Sequence, residues 1–506
     1  GVRLEGVKNL KSAQGAIVEL KTGAWYQKRI YQGVPLLFGI RSYREADTLR
    51  ITWPNGLVQN EIKEQGGKEL SYKEKPRLSG SCPMIFAWNG SNFQFITDVL
   101  GVAPLGASNG DDQYFPVNHQ EYIRIPSNIL HARNGEYEIR ITEELREVSY
   151  LDKIRLVAVD HRIGEEVFTD DKFKAPPFPE FRLYSVKHKT RPLTARDQNG
   201  SDLLPRVIKN DGRYAEGFHC GSSGVAAVHD VVLDFGKAAP DGRAVLFLNG
   251  WVDWADASTF VAASQETRSG LIFPYLQVKD AAGNWQTVIP DMGLPSGKPK
   301  TMAVDLSGKF LSKSREIKIT TNLCVYWDEI FLSENTEKPS VRTTTMAADS
   351  ADLHYRGFSV MTHPAEKGQP DEFEYSKWSA TTMWNPTSGL YTRYGDVRRL
   401  LKYADDEMVV MGSGDELRLL FNPEHLPPLP PGWERSFLLL VDGWAKDSDS
   451  NTAYGKSVQP LPFHGMISYP YPSSQHFPAD FRHAHYQKMF NTRPAMPDIN
   501  PLRSAE

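Results

Sequence analysis

The sequence predicts a mainly β, multi-domain protein of antiparallel β-sandwich or jelly-roll architecture with a small N-terminal β domain. Three observations carry this prediction. At 506 residues the chain exceeds one ordinary core and has room for three or four domains. Its 39 Gly and 34 Pro punctuate short apolar runs, which suits sheets better than helical bundles. Several of those runs alternate with the two-residue period of half-buried strands.

Residues 1–76 read as the small β domain, with AIVELKT, WYQKRIYQG and TLRITW as strands ahead of the turn Pro54-Asn55-Gly56. The polar stretch KEQGGKELSYKEKPRLSGS leads out of it, placing a boundary between Tyr72 and Ser81. Residues 77–175 read as a second β domain. Asn89-Gly90 lies there between two aromatic-rich runs, a hairpin signal, and EYEIRITEELREVSYLDKIRLVAVD supplies two strands around an acidic segment. KAPPFPEF cannot continue a sheet interior and closes this stretch. Over 176–345 the turn-bounded runs VVLDF, AVLFLNGW, LIFPYLQV, NWQTVI, TMAVDL, EIKITT and CVYWDEIFL suit a jelly-roll-like sandwich. Residues 346–506 read as a further β domain, with EMVVMG, DELRLLF and SFLLLVDGW as strands. Its Pro-, Tyr- and His-rich tail is expected to wrap the body as ordered coil.

The chain contains an internal echo. HDVVLDFGKAAPDGRAVLFLNGW and DELRLLFNPEHLPPLPPGWERSFLLLVDGW share a strand, a proline-containing loop, a second strand and an Asx-Gly-Trp triplet. Two copies so far apart make no solenoid. They predict two related sandwiches, or two halves of one assembly, with the triplets as corners at strand ends. Gly250 and Gly443 would supply positive φ, Asn249 and Asp442 would bond the backbone two residues on, and Trp251 and Trp444 would point inward.

Charge and motif content narrow the function. A net charge of −4 without a basic block excludes an electrostatic footprint for nucleic acid. No run approaches the ~20 apolar residues of a membrane-spanning helix. There is no GxSxG, HExxH, phosphate-binding loop or strand-linked GxGxxG, so no catalytic residue is assigned. Glu144 and the Asp328-Glu329 pair are candidate carboxylates by neighbourhood alone. Of Cys82, Cys220 and Cys324, the last two form the candidate disulfide, the alternative being three buried thiols.

Two sites are predicted from residue type and spacing. Trp254, Tyr326 and Trp327 are eligible as an aromatic platform for a sugar face, with neighbouring acids for its hydroxyls. Strand alternation puts Tyr326 and Trp327 on opposite faces, leaving one free to face outward. Asp447, Asp449 and Asn451 are spaced like the first oxygen ligands of a calcium loop. Thr452 and Val458 stand where an EF-hand needs Gly and Glu, so this is no EF-hand, and an Asx-rich loop closed on itself is the alternative. Trp254 replaces Asp447 in the earlier copy, which confines any ion to the later one; no cofactor is required. His483 and His485, with His476 nearby, would form an imidazole site if they shared one face of a strand. His219-Cys220 lacks spaced partners.

Gly15-Ala16-Ile17-Val18, Phe38-Gly39, Asp47 with Leu49, and Thr52-Trp53-Pro54-Asn55-Gly56 with Gln59 resemble the ASPIC/UnbV domain. That domain follows FG-GAP (VCBS-type) propellers in extracellular proteins similar to cartilage acidic protein. Ile40-Arg41-Ser42 depart from the family's second glycine after Phe-Gly. CPMIFAWNGSNFQFITDVLG, TEELREVSYLDKIRLVAVDH and DGWAKDSDSNTAYG resemble the C-terminal extension of bacterial members. The resemblance implies the C-terminal part of a larger secreted protein, extracellular or periplasmic, with propeller and export signal upstream of Gly1. The expected function is a non-catalytic interaction module binding polysaccharide or a surface partner; the alternative is a carbohydrate-active enzyme with an unrecognised carboxylate pair.

Overall fold

Antiparallel strands dominate the computed structural model, which describes residues 1–6, 10–54, 56–74, 83–101, 104–110, 113–220, 225–237, 242–253, 257–258, 260–261, 270–334, 340–362, 368–380 and 386–495. The mainly β class expected from the turn-bounded runs is what the chain adopts. No helix among the described residues is long and apolar enough to cross a membrane.

The N-terminal unit is a four-stranded sheet in the order Trp25–Ile30, Ile17–Thr22, Glu45–Thr52, Val58–Gln65, beside a parallel pair of Val2–Glu5 and Leu70–Lys73. Alternation turns Val18, Leu20, Leu49 and Ile51 into its core. Trp53, which follows Glu45–Thr52, is buried there, and its Nε1 donates to Gln59 Oε1 at 3.1 Å. Asp47 Oδ2 accepts from Gly23 N–H at 2.7 Å, which ties two strands at the opposite end. Met84, Phe86 and Phe373 complete the same core, so this unit packs directly on the next.

The remaining chain forms two sandwiches, one inserted into the other. The outer sandwich faces a sheet containing Glu136–Thr142, Asp415–Phe421, Ser350–Tyr355, Met84–Trp88 and Phe93–Asp98 against one built on Gln120–Ile125, Trp433–Asp447, Glu147–Arg162 and Arg342–Met346. Ile139, Ile141, Leu417 and Leu419 from the first meet Ile154, Leu156, Leu439 and Val441 from the second. Each such side chain contributes roughly 1.5–3 kcal/mol on burial. The inserted sandwich packs Thr194–Asp197, Val225–Lys237, Ser314–Leu323, Tyr275–Lys279 and Trp285–Ile289 against Lys300–Asp305, Val245–Val252 and Val325–Ser333.

This corrects the linear division into 77–175, 176–345 and 346–506. The first and last of these segments share both sheets of one sandwich, sealed by pairing of Glu147–Arg162 with Trp433–Asp447 from Glu147↔Asp447 to Arg162↔Trp433. Local periodicity marks strands but carries no information about partners more than 250 residues away. A buried ionic cluster joins the two sandwiches: Lys300 Nζ lies 3.3 Å from Asp98 and 3.2 Å from Glu121. Burial alone would lower the Lys300 ammonium, but Glu121, Asp171 and Asp98 more than reverse that and hold it charged.

The tail is also more regular than expected. Phe481–Phe490 is an α-helix whose N-cap, Asp480, accepts from the N–H groups of Arg482 and His483. His483 and His485 therefore lie two positions apart on a helix, about 200° around its axis, and share no face; the strand geometry of the imagined imidazole site does not exist. Cys220 and Cys324 are joined in a disulfide. Cys82 lies outside the described residues.

Candidate functional site

The two Asx-Gly-Trp triplets occupy the same structural position, but not the one expected. Neither glycine makes a corner. Trp251 pairs with Tyr326 and Gly250 with Trp327, while Trp444 pairs with Tyr150 and Gly443 with Leu151. In each copy the partner strand bulges opposite the triplet: Asp328 and Glu329 together face Asn249, and Asp152 is the extra residue beside Asp442. Glycine is required because a Cβ would collide with the carbonyl oxygen of Tyr326 at position 250, or of Tyr150 at position 443. The echo thus includes the partner strands, Tyr326-Trp-Asp328-Glu-Ile330 and Tyr150-Leu-Asp152-Lys-Ile154. That signal lay in the sequence and was missed because the partner precedes the triplet in one copy and follows it in the other.

The aromatic platform needs correction. Trp327 is 3% exposed and belongs to the inserted sandwich's core. Tyr326 does lie on the other face, yet it is only 8% exposed, because Trp251 stacks on it at 4.8 Å and Phe218 covers it at 4.9 Å. The protein itself fills the platform. Trp254 lies outside the described residues.

The expected calcium loop is a clamp between sandwiches. Asp449 Oδ1 accepts from Ser258 N–H at 3.1 Å, Ser258 Oγ–H at 2.7 Å and Asn451 N–H at 2.8 Å. Asn451 Nδ2 donates to Ser258 Oγ at 2.8 Å, and Asp447 Oδ1 accepts from Asp449 N–H at 3.3 Å. Protein donors thus hold the side chains proposed as ligands, which corrects the reading of Asp447, Asp449 and Asn451 as three oxygens displayed to an ion.

The polar chemistry of the later triplet centres on Asp442 instead. Buried at the bulge, it meets His119 Nδ1 at 2.8 Å and His464 Nε2 at 2.9 Å through Oδ1, and accepts from Gln120 Nε2 at 2.7 Å through Oδ2. Burial would raise its carboxyl, but the two imidazoles and Gln120 hold it well below the usual carboxylate range. His464 is likewise opposed by burial, yet Asp406 and Asp442 raise it to about 10. Asp152 is pushed up to about 8 by burial, against the N–H of Asp406. At the earlier triplet, Asn249 Nδ2 donates to Thr301 Oγ1 at 3.1 Å and no histidine approaches closely enough to bond it among the described residues.

A separate cleft of about 420 Å³ lies on the outer face of the sandwich's first sheet. Strict alternation creates its floor. Ile139, Ile141, Leu353, Leu417 and Leu419 point into the core, so Arg140, His354 and Glu416 point out, with His354 directly opposite Glu416 across the strand pair. Glu416 Oε1 meets Arg140 at 2.5 Å and His354 Nε2 at 3.3 Å; Oε2 accepts from Tyr375 Oη at 2.8 Å and faces Arg356 Nε at 3.3 Å. The hairpin Phe358–Thr362 and Glu372–Ser379 forms one wall. It brings Trp378, 55% exposed, into the same lining as Tyr355, 44% exposed. Glu144 lies nearby but does not line the cleft: Ser359 N–H and Oγ–H, each at 2.7 Å, and Thr142 Oγ–H at 2.9 Å occupy its carboxylate. Sequence reasoning missed the cleft because its floor comes from three strands distant in the chain. No protein-family model matches the chain, and no curated protein matches it.

Proposed function

We propose that the protein is a non-catalytic, exported interaction module that binds carbohydrate in the cleft lined by Trp378 and Tyr355. One observation carries this reading: exposed aromatic rings line a cleft in which Arg140, His354 and Arg356 surround the Glu416 carboxylate, with the Tyr375 and Ser376 side chains beside them, the combination that suits a sugar's C–H face and its hydroxyls. Arg140, Arg356 and His354 are offset by the buried Glu416 together with Glu138, Glu144 and Asp352, so the cleft favours a hydroxyl-rich, uncharged glycan over a polyanion. Export is supported by the Cys220–Cys324 disulfide, which persists in oxidising compartments. It accords with the ASPIC/UnbV resemblance, whose family operates beside FG-GAP propellers outside the cell. Glu144 is enclosed away from the cleft, which weighs against a second carboxylate working with Glu416.

A glycan array run alongside a hydrolysis screen tests the proposal. A neutral glycan should be retained without product, and Trp378→Ala should lower its affinity about tenfold without changing the melting temperature. Absence of any retained glycan, or retention unaffected by Trp378→Ala, would sink it; released product would replace it with the enzyme.

A further inference from the structure

The bulge at the later triplet gathers three carboxyl groups around one imidazole. Asp442 and Asp152 are fully buried and Asp406 is largely so, and the imidazole that all three approach is that of His464. His464 Nδ1 lies 2.7 Å from Asp406 Oδ1 and 3.4 Å from Asp152 Oδ2, while its Nε2 faces Asp442 Oδ1. Asp152 Oδ1 is buried and has no hydrogen-bond partner. His119 Nδ1 reaches the same Asp442 oxygen, and the two imidazole planes cross at 87° with centroids 4.7 Å apart.

From this geometry we infer that His119 Nδ1, His464 Nε2 and Asp442 Oδ1 form a binding site for a divalent first-row transition-metal ion of the zinc type. The three donor atoms lie within 4.8 Å of one another. A tetrahedral ion with bonds of about 2.0–2.1 Å needs donor separations of about 3.3 Å. The two imidazole-to-carboxylate distances, 2.8 and 2.9 Å, therefore have to open by a few tenths of an ångström, and the two imidazole nitrogens, no more than 4.8 Å apart, have to close by at most about 1.5 Å. Two imidazoles and one carboxylate suit this class of ion better than calcium or magnesium, which prefer all-oxygen shells.

The surroundings resemble those that support metal ligands. Asp406 holds the distal nitrogen of His464, the carboxylate–histidine arrangement that fixes an imidazole's orientation and makes it a better donor. Gln120 fixes the second oxygen of Asp442. The buried Trp444 ring lies 4.9 Å from the His464 ring and 5.6 Å from that of His119, and so limits both. The side chains of His119 and His464 are 37% and 25% exposed, which gives the ion a way in and leaves its remaining coordination positions to solvent or an exogenous ligand. The earlier triplet has Asn249 and Thr301 in place of this donor set, so it takes no ion.

The full chain, stripped with chelator, is titrated with Zn²⁺ by calorimetry and with Co²⁺ by visible absorption. The expected result is one ion per chain. His119→Gln and His464→Gln should each weaken binding more than about a hundredfold, and Asp406→Asn by about tenfold to a hundredfold. Asp449→Asn should leave it unchanged, which separates this site from the Asx-rich loop. The inference is overturned if the wild-type chain takes up no ion, or if His119→Gln binds as well as wild type. Should either histidine variant lose its native circular dichroism, zinc-induced shifts of the His119 and His464 ring resonances in the wild-type chain decide the matter: unmoved resonances overturn it.

Discussion

The two Asx-Gly-Trp positions share a backbone device and differ in everything polar around it. Both pair the tryptophan with a tyrosine, both need glycine against a tyrosine carbonyl, and both set a fully buried aspartate in the bulge. At the earlier position Asp328 accepts backbone N–H bonds from Asp211 and Gly212, and Asn249 finds a neutral hydroxyl. At the later one, Asp152 and Asp442 share His464 with Asp406. The two bulges therefore share the steric requirement and differ in the polar side chains they hold. The backbone is the common structural part; the side chains in the bulge carry whatever is specific to each copy.

The largest expected effect tests the shared part. Trp251→Ala and Trp444→Ala should each cost about 3–5 kcal/mol, because each empties a closed aromatic cluster. Trp251 also donates its Nε1–H to Gly368 O at 3.0 Å. Denaturant melts of both variants would check this; a loss near zero at one site and several kcal/mol at the other would break the equivalence of the two positions.

The buried acids give a second, pH-dependent test. Burial raises Asp328 to about 6 from an ordinary 3.8; the nearby carboxylates of Asp211 and Glu329 add to the rise, and the two backbone N–H bonds oppose it. A carboxyl raised on folding favours the native state while protonated. Its contribution is complete below about pH 4 and is lost as pH rises through 6, at most about 3 kcal/mol for a shift of this size. Asp328→Asn should flatten the stability profile between pH 4 and 6. If wild type and variant show parallel profiles there, Asp328 is already ionised in the fold and the two bulges differ more than their geometry indicates.

How much of this was legible follows from the range of each interaction. Strand alternation exposed the sheet class and the seven runs of the inserted sandwich, because period two is a local property. The TWPNG turn was legible for the same reason, with Trp53 and Gln59 only six residues apart. The insertion was not, since Glu147–Arg162 finds Trp433–Asp447 across the whole inserted sandwich. Nor was the Asp442 cluster, whose His119 stands 323 residues away. Asp447, Asp449 and Asn451 suggest an ion loop in the sequence because they stand at alternate positions within five residues. Once Ser258 closes on them from the other sandwich, that spacing describes a clamp.

The smallest expected effect separates the polar chemistries. At the earlier position, Thr301→Val keeps the shape of the side chain and removes the hydroxyl that accepts from Asn249 Nδ2. One neutral hydrogen bond is lost, a cost of about 1 kcal/mol. At the later position, Gln120→Leu removes the donor to Asp442 Oδ2 and leaves that buried, ionised oxygen with one fewer partner. A bond to a charged group is worth about 1.5–3 kcal/mol, so this variant should lose more, by roughly twofold. His119 and His464 continue to hold Oδ1, which keeps the loss below that of removing Asp442 itself. Chemical denaturation of the two variants beside wild type gives the ratio. Equal losses would mean that Asp442 carries no more charge in the fold than Asn249, and the divergence of the two bulges would then be one of residue names alone.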